Sequence, residues 1–364
     1  MDNVTHTLFG ATLGRAVFHR AGRGTTAVLI LASNAPDADI VMAAGGTLDY
    51  LAWHRGPTHG PLGVVGLAAV SAALVWGWLR YGDRERRGDH APFATLFLAA
   101  LVGLVAHVLM DFPTAYGTRL LSPFSWRWFS TDLMPIVDIY LLIVLAGALI
   151  LGRRRADMRR QLAMVALAYT LLNYSFRAGA HQWALRAAPQ VLAPVLPARC
   201  PAAVPPSLFS QWPIDGTPAR GADDAGRCVV EIAALPTFFS PFRWQLIART
   251  TDSYQTLPLN LLRDPARPVD SPDAPWRNAV YYPNQWTSVA RRAAHTTLGR
   301  VFLGFSRFPA TQSELHADHS ATVRWTDLRF ADIAARRPGP RTNMFSAVVT
   351  LAADGHVLEA QLGE

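Results

Sequence analysis

Phe93-Ala-Thr-Leu-Phe-Leu-Ala-Ala-Leu-Val-Gly-Leu-Val-Ala-His107-Val-Leu-Met-Asp111 decides how this chain is read. Its apolar part, Phe93–Met110, meets the ~17–25 residues that cross a bilayer as a helix. It then ends on a histidine and an aspartate four positions apart, which share one helical face. Working outward, three more runs are as long and as apolar: Leu62–Leu79, Met134–Leu151 and Gln161–Ala178. Two weaker runs precede them, Thr5–Phe18 and Thr25–Met42. Thr25–Ala35 reaches only ~17 Å before Pro36 interrupts it, so the first pair is expected as short or tilted helices packed inside the bundle. The fold class that follows is an α-helical integral membrane bundle of about six helices, joined to a mixed or mostly β extramembrane C-terminal domain.

The composition agrees. Of 364 residues, 51% are hydrophobic and 16% charged, against ~25% charged in soluble domains. One core is not expected at this length, since cores stop growing at ~250–300 residues. The apolar runs fall before about residue 185, and Pro-rich and charged text follows. The expected division is a transmembrane bundle with a metal site at 1–185, a Pro-rich linker at 186–220 and an extracytoplasmic domain at 221–364. In the last, Cys228–Ile232, Trp244–Thr250, Val323–Phe330 and Met344–Leu351 read as strands, being rich in β-branched and aromatic residues. All 34 basic residues are arginine, which excludes a catalytic lysine.

The arginines set an orientation. Arg15, Arg20 and Arg23 follow the first run. Arg80, Arg84, Arg86 and Arg87 follow the third, and Arg153, Arg154, Arg155, Arg159 and Arg160 the fifth. The alternate loops carry chiefly Arg55, Arg119 and Arg127. The positive-inside rule places the rich loops in the cytoplasm. Six crossings then put both termini outside and the C-terminal domain in the periplasm, the protein being multi-pass in a bacterial inner (cytoplasmic) membrane. The net charge of +8 is thereby read as topology, and no nucleic-acid partner is expected. The only two cysteines, Cys200 and Cys228, fall in the outside domain, where a disulfide is permitted; two unpaired buried thiols are the other reading. The N-terminus, with Asp2 and His6 and no basic region, does not read as a cleavable signal peptide.

Ionisable groups collect at one end of the predicted bundle. His6 opens the first run, Asp37 and Asp39 end the second, His54 and His59 precede the third, and His107 and Asp111 close the fourth. Such groups are costly near membrane helices, ~2.5–3.5 kcal/mol at the centre on insertion scales, and so tend to mark function. Imidazole and carboxylate are the ligands of catalytic zinc. Each piece alone also has a structural reading: His107 with Asp111 as a buried pair, Asp37 and Asp39 as a solvated helix end, His54 as an interfacial residue. Arg55, beside the cluster, has the fork that clamps phosphate oxygens. His316-Ala-Asp-His319 has ligand-like spacing but reads as a solvated loop.

Asp2…Thr5-His6, Pro36-Asp37-Ala38-Asp39, His54-Arg55-Gly56-Pro57-Thr58-His59, His107-x3-Asp111…Thr114-x-Tyr116-Gly117 and Pro123-Phe124-Ser125 together resemble the YdjM-type family of inner-membrane metal-dependent hydrolases, over roughly residues 1–180. Gly60 departs from the family, which usually has serine there. More distantly, the helix-borne His-x3-Asp is similar to that of zinc-dependent phospholipase C. The resemblance implies phosphoester hydrolysis, by analogy between sites.

The function expected is metal-dependent hydrolysis of a phosphoester in a membrane lipid or lipid-linked substrate. The metal ligands would be His6, Asp37, His59, His107 and Asp111, with Asp39 and His54 as further ligands or as partners of the ligands. The cofactor is a divalent metal, zinc by its donor set. Arg55 would stabilise phosphate charge, and Thr58, Thr114 and Tyr116 would orient water or substrate. One rival is a non-enzymatic membrane partner protein with a structural metal site. The other is an ion or proton transporter, which would need ionisable groups near the midplane.

Overall fold

Asp2 starts the first helix: its carboxylate accepts from the Thr5 backbone N–H at 3.0 Å and the Thr5 hydroxyl at 2.5 Å, satisfying donors that a first turn leaves open. The computed structural model describes residues 1–82, 90–201, 209–213, 226–331 and 345–363. Its helices before residue 193 are α1 (Asn3–Ala16), α2 (Thr25–Ala32), α3 (Thr47–Trp53), α4 (Pro61–Gly77), α5 (Phe93–Asp111), α6 (Ile139–Arg154) and α7 (Arg159–Leu192). Two units form: Met1–Met42 with Trp53–Ala178, and Ala43–Ala52 with Gly179–Glu364.

Among the described residues, three stretches are long and apolar enough to cross a membrane: Thr25–Gly45, Pro61–Gly82 and Phe93–Asp111. The first is not one α-helix. Pro36 lacks the N–H that would continue α2, and the chain tightens into a 3-10 stretch over Ala35–Gly45. The run expected at Met134–Leu151 becomes helical only at Ile139, where Asp138 caps α6 by accepting from Leu141 N at 2.9 Å. α6 is therefore 16 residues and ends on Arg153 and Arg154. The run expected at Gln161–Ala178 lies within the 34-residue α7.

In the first unit, Val28, Leu29, Ala32, Ala68, Ala72, Leu96, Ala99 and Leu104 form a closely packed core. Gly10 of α1 makes this possible, because a Cβ there would meet the Leu29 carbonyl oxygen at 2.9 Å; small residues let helix backbones approach in this way. On the outside, Leu62, Val65, Val70 and Leu74 of α4 and Leu98, Val105 and Leu109 of α5 remain exposed. A helix apolar on all sides is one whose surroundings are apolar too.

The second unit is β-rich. β2 is Ser210–Trp212, numbered after β1 (Trp128–Ser130) of the first unit. β3 (Val229–Pro236), β4 (Arg243–Thr250), β5 (Ser253–Asn260) and β6 (Val280–Pro283) form an antiparallel sheet in that order. Ala184, Ala188 and Leu192 of α7 pack on it against Trp244, Leu246 and Leu257. A second antiparallel sheet has the order β10-β9-β8-β7, from β7 (Pro309–Leu315), β8 (Ala321–Asp327), β9 (Ser346–Leu351) and β10 (Val357–Leu362). In β8 burial alternates residue by residue, as a strand with one face on a core requires. Two short helices, α8 (Ser288–Ala294) and α9 (Thr297–Phe305), start on threonine caps, Thr287 and Thr296. Cys200 and Cys228 form a disulfide, with Cα atoms 5.0 Å apart. His316 and His319 lie in the turn between β7 and β8, where His316 Nε2 meets Thr322 Oγ1 at 2.8 Å. Arg84, Arg86, Arg87, Met344 and much of the expected linker lie outside the described residues.

Candidate metal centre

The turn His54–His59 is built around Asp39. Its Oδ2 accepts from the Arg55 backbone N–H at 2.7 Å, and its Oδ1 lies 3.1 Å from His54 Nδ1. The turn closes with Gly56 N donating to Trp53 O at 3.0 Å and His59 N to Gly56 O at 2.9 Å. Arg55 sits at φ +51°, a left-handed conformation that costs an L-residue about 1–2 kcal/mol. The carboxylate of Asp39 holds it there. Gly60 follows, and a Cβ at this position would collide with the Ser122 carbonyl oxygen. The chain after α5 approaches too closely for a side chain at this position without a shift.

Of the residues singled out in the sequence, Asp37, His59, His107 and Asp111 each offer one ligand atom, and all four atoms lie within 4.8 Å of one another. Three segments supply them: the 3-10 stretch, the turn before α4, and the C-terminal end of α5. His59, His107 and Asp111 are fully buried, whereas Asp37 keeps 13% of its side chain exposed and marks the accessible side. Separations are 3.2 Å between His59 Nε2 and His107 Nε2, 3.4 and 3.6 Å from His107 Nε2 to Asp111 Oδ2 and Asp37 Oδ1, and 3.5 and 3.8 Å from His59 Nε2 to the same two oxygens. A tetrahedral zinc site with bonds of about 2.0–2.2 Å places its ligand atoms about 3.3–3.6 Å apart.

The protonation pattern fits a cation. His107 Nδ1 lies 2.8 Å from the Ser33 carbonyl oxygen, which can only accept, so this nitrogen carries the proton. In the neutral ring Nε2 is then left with a lone pair. That lone pair faces a second imidazole nitrogen and two carboxylates. The Ser33 carbonyl thus fixes the tautomer, as partners of metal-bound histidines do. Burial pushes the His59 ring well below its ordinary pKa, and the neighbouring His107 acts in the same direction. Burial also lowers His54, against the opposing pull of its Asp39 partner. Neutral imidazole is the form that binds metal.

Around this core, His6 stacks on His107 with ring centroids 3.9 Å apart and places Nε2 3.3 Å from Asp111 Oδ1. The α-amino group of Met1 also pairs with Asp111. The buried Arg55 guanidinium reaches Asp111 Oδ2 at 2.9 Å, Gly117 O at 3.0 Å and Thr114 Oγ1 at 3.3 Å, and lies over the Tyr116 ring at 4.8 Å. Thr58 Oγ1 is 3.0 Å from His59 Nδ1 and 3.5 Å from Asp39 Oδ2. His54 and Asp39 hold one another and the turn, and the four-residue cluster forms without them.

Sequence reasoning missed two charged groups of this unit. Arg119, counted only as a loop charge, is buried over Trp126 and Trp128 at 5.1 and 4.4 Å, and donates its backbone N–H to Arg55 O at 3.2 Å. Burial lowers its pKa to about 10, so it stays charged at neutral pH. Its position in an aromatic-rich loop was the available signal. Arg177, inside an apolar run, pairs at 2.6 Å with Asp138, both fully buried.

The YdjM inner membrane protein family matches residues 1–184 of this chain. Among curated proteins, the uncharacterized protein YfhP of Bacillus subtilis (strain 168) is 30% identical over 151 residues. The match covers 39% of this chain and 43% of that relative, so the chain spans less than half of the relative's length. No solved structure matches the chain.

Proposed function

The chain belongs to the YdjM inner membrane protein family, and from that premise we propose a membrane-embedded metal-dependent hydrolase acting on a phosphoester in a lipid or lipid-linked substrate. The convergence of Asp37, His59, His107 and Asp111 is the observation that carries this reading. These four would hold the ion, with His6 at the edge of the set, and the mixed imidazole and carboxylate donors suit zinc. A bound divalent ion supplies Lewis acidity toward a phosphoryl oxygen.

The chain's own residues do the rest. Arg55, anchored by the Gly117 carbonyl and backed by Tyr116, presents a preorganised positive charge to the phosphate, and such charge acts strongly in a water-poor site. Thr58, between His59 and Asp39, orients the His59 ring or an incoming water. Asp37, the least buried of the four, faces the direction from which substrate enters. A chromogenic phosphoester and a phospholipid assay on metal-loaded protein test this. Arg55→Ala is expected to lower turnover about 10²–10³-fold, the size of losing one transition-state donor, while metal content holds. No hydrolysis by loaded wild-type protein would end the hydrolase reading.

One observation favours a second reading. Four protein ligands can close a tetrahedral shell, and closed zinc sites are structural. The protein would then be a non-enzymatic membrane partner whose ion rigidifies the bundle. Loaded protein that is inactive, yet melts well above its chelated form, would select it.

The topology proposed with this function has six crossings, arginine-rich loops in the cytoplasm and the C-terminal domain in the periplasm. The disulfide of that domain supports an oxidising location. Compartment reporters fused between residues 82 and 90 and at residue 364 are expected to report opposite sides, and finding them on the same side would refute it.

A further inference from the structure

The second unit carries a cleft of about 370 Å³ lined by Val195, Arg227, Gln255, Trp276, Arg277, Ala279 and Tyr281. Its floor is set by strand register. Gln255 of β5 pairs with Tyr281 of β6, so both side chains leave the same face of the sheet. The 3-10 turn Pro275–Asn278 adds Trp276 and Arg277, and the segment entering β3 adds Arg227.

Three features point to a ligand. Each arginine lies over a ring, Arg227 over Tyr281 at 5.8 Å and Arg277 over Trp276 at 4.6 Å, which limits where the guanidinium can point. Arg277 donates to Ser271 O at 3.3 Å and forms no ion pair among the described residues. Arg227 shares its charge with Asp252 across 3.4 Å, with both groups about half exposed. The cleft is therefore net positive. Gln255 is 5% exposed; its Nε2 donates to Val195 O at 2.8 Å, whereas its Oε1 is buried without a partner among the described residues. A buried acceptor lacking a donor is costly unless something else supplies one. Finally, Tyr281 leaves 55% of its surface exposed and offers an aromatic face to the cleft beside Arg227.

Guanidinium groups call for a phosphate or carboxylate, the free carbonyl oxygen calls for a hydroxyl, and an exposed aromatic face suits the C–H face of a sugar ring. We propose that this cleft binds an anionic sugar, with its acid group between Arg227 and Arg277, its ring on Tyr281 and a hydroxyl directed to Gln255. None of its lining residues belongs to the metal centre, and the proposed binding does not require hydrolysis there.

Saturation-transfer NMR titrations of the full chain with glucose 6-phosphate, glucuronate, glucose and inorganic phosphate test it. The first two are expected to bind at least tenfold more tightly than the last two. Arg227→Gln with Arg277→Gln should weaken that binding at least tenfold, and Tyr281→Ala severalfold. Gln255→Leu should weaken it severalfold in protein still folded at the titration temperature, although the change also strands the Val195 carbonyl oxygen and so lowers the melting temperature. Equal binding of inorganic phosphate, equal binding of glucose, no binding of either acidic sugar, or affinities unmoved by the arginine pair would each overturn the proposal.

Discussion

The two units solve opposite problems with one alphabet. In the first, Leu62, Leu74, Leu171 and Leu172 are exposed while His6, Arg55, Asp111, Asp138 and Arg177 are buried. In the second, Trp244, Phe302, Phe308 and Trp325 are buried, and most arginines lie outside. Both units contain a fully buried ion pair. In the second unit Asp327–Arg329 joins neighbours at one strand end, and the slightly exposed Glu231 also reaches the distant Arg307 at 2.8 Å. Asp138–Arg177 and Arg55–Asp111 join distant segments. Where the surroundings are apolar, burying more apolar surface adds little driving force, and polar pairs between helices fix the arrangement instead.

Arg177→Ala is the largest way to break this contrast. It leaves Asp138 buried with only Asn173 and its capping bond to Leu141 N as partners among the described residues, and an uncompensated buried charge costs about 3–5 kcal/mol. The first unit should lose that much in reversible unfolding in detergent. Asp138→Asn combined with Arg177→Met should recover most of it, since Asn keeps the cap and no charge is stranded. A loss below 1 kcal/mol in the single variant would show that the pair does not organise the helices. Cys200→Ala with Cys228→Ala should act on the other unit alone. Opening that loop removes roughly 3.5 kcal/mol in the chain-entropy picture, and metal content and the first unit's unfolding should not move. A loss of bound metal in this variant would erase the distinction between the units.

Legibility in the sequence follows from the same physics. Ionisable residues at the ends of apolar runs stand out because their neighbours are silent, and thus His6, Asp37, His59, His107 and Asp111 can be named from the amino-acid order alone. Arg177 sits inside a run and is averaged away by its apolar neighbours; only the partner 39 positions upstream explains it. β3, β4, β8 and β9 announce themselves through Val, Ile, Trp and Thr. β5, β6, β7 and β10 escape such a reading, because Ser-Tyr-Gln-Thr-Leu-Pro, Val-Tyr-Tyr-Pro, Pro-Ala-Thr-Gln-Ser-Glu and Val-Leu-Glu-Ala-Gln carry proline or polar residues that their ladders tolerate. For His54 and Asp39 the amino-acid order leaves two readings open, ligands or partners of the ligands. Ligand and turn-holding residues have one composition, and only the 2.7 Å bond from Arg55 N to Asp39 distinguishes them.

The central claim is that Asp37, His59, His107 and Asp111 form a metal centre. Elemental analysis of purified protein, with His107→Ala and Asp111→Asn beside it, tests this most directly. The account predicts close to one divalent ion or more per wild-type chain, and loss of most of it in each variant while both remain folded. Full occupancy in both variants, or folded wild-type protein that takes up no ion from excess zinc, would contradict it.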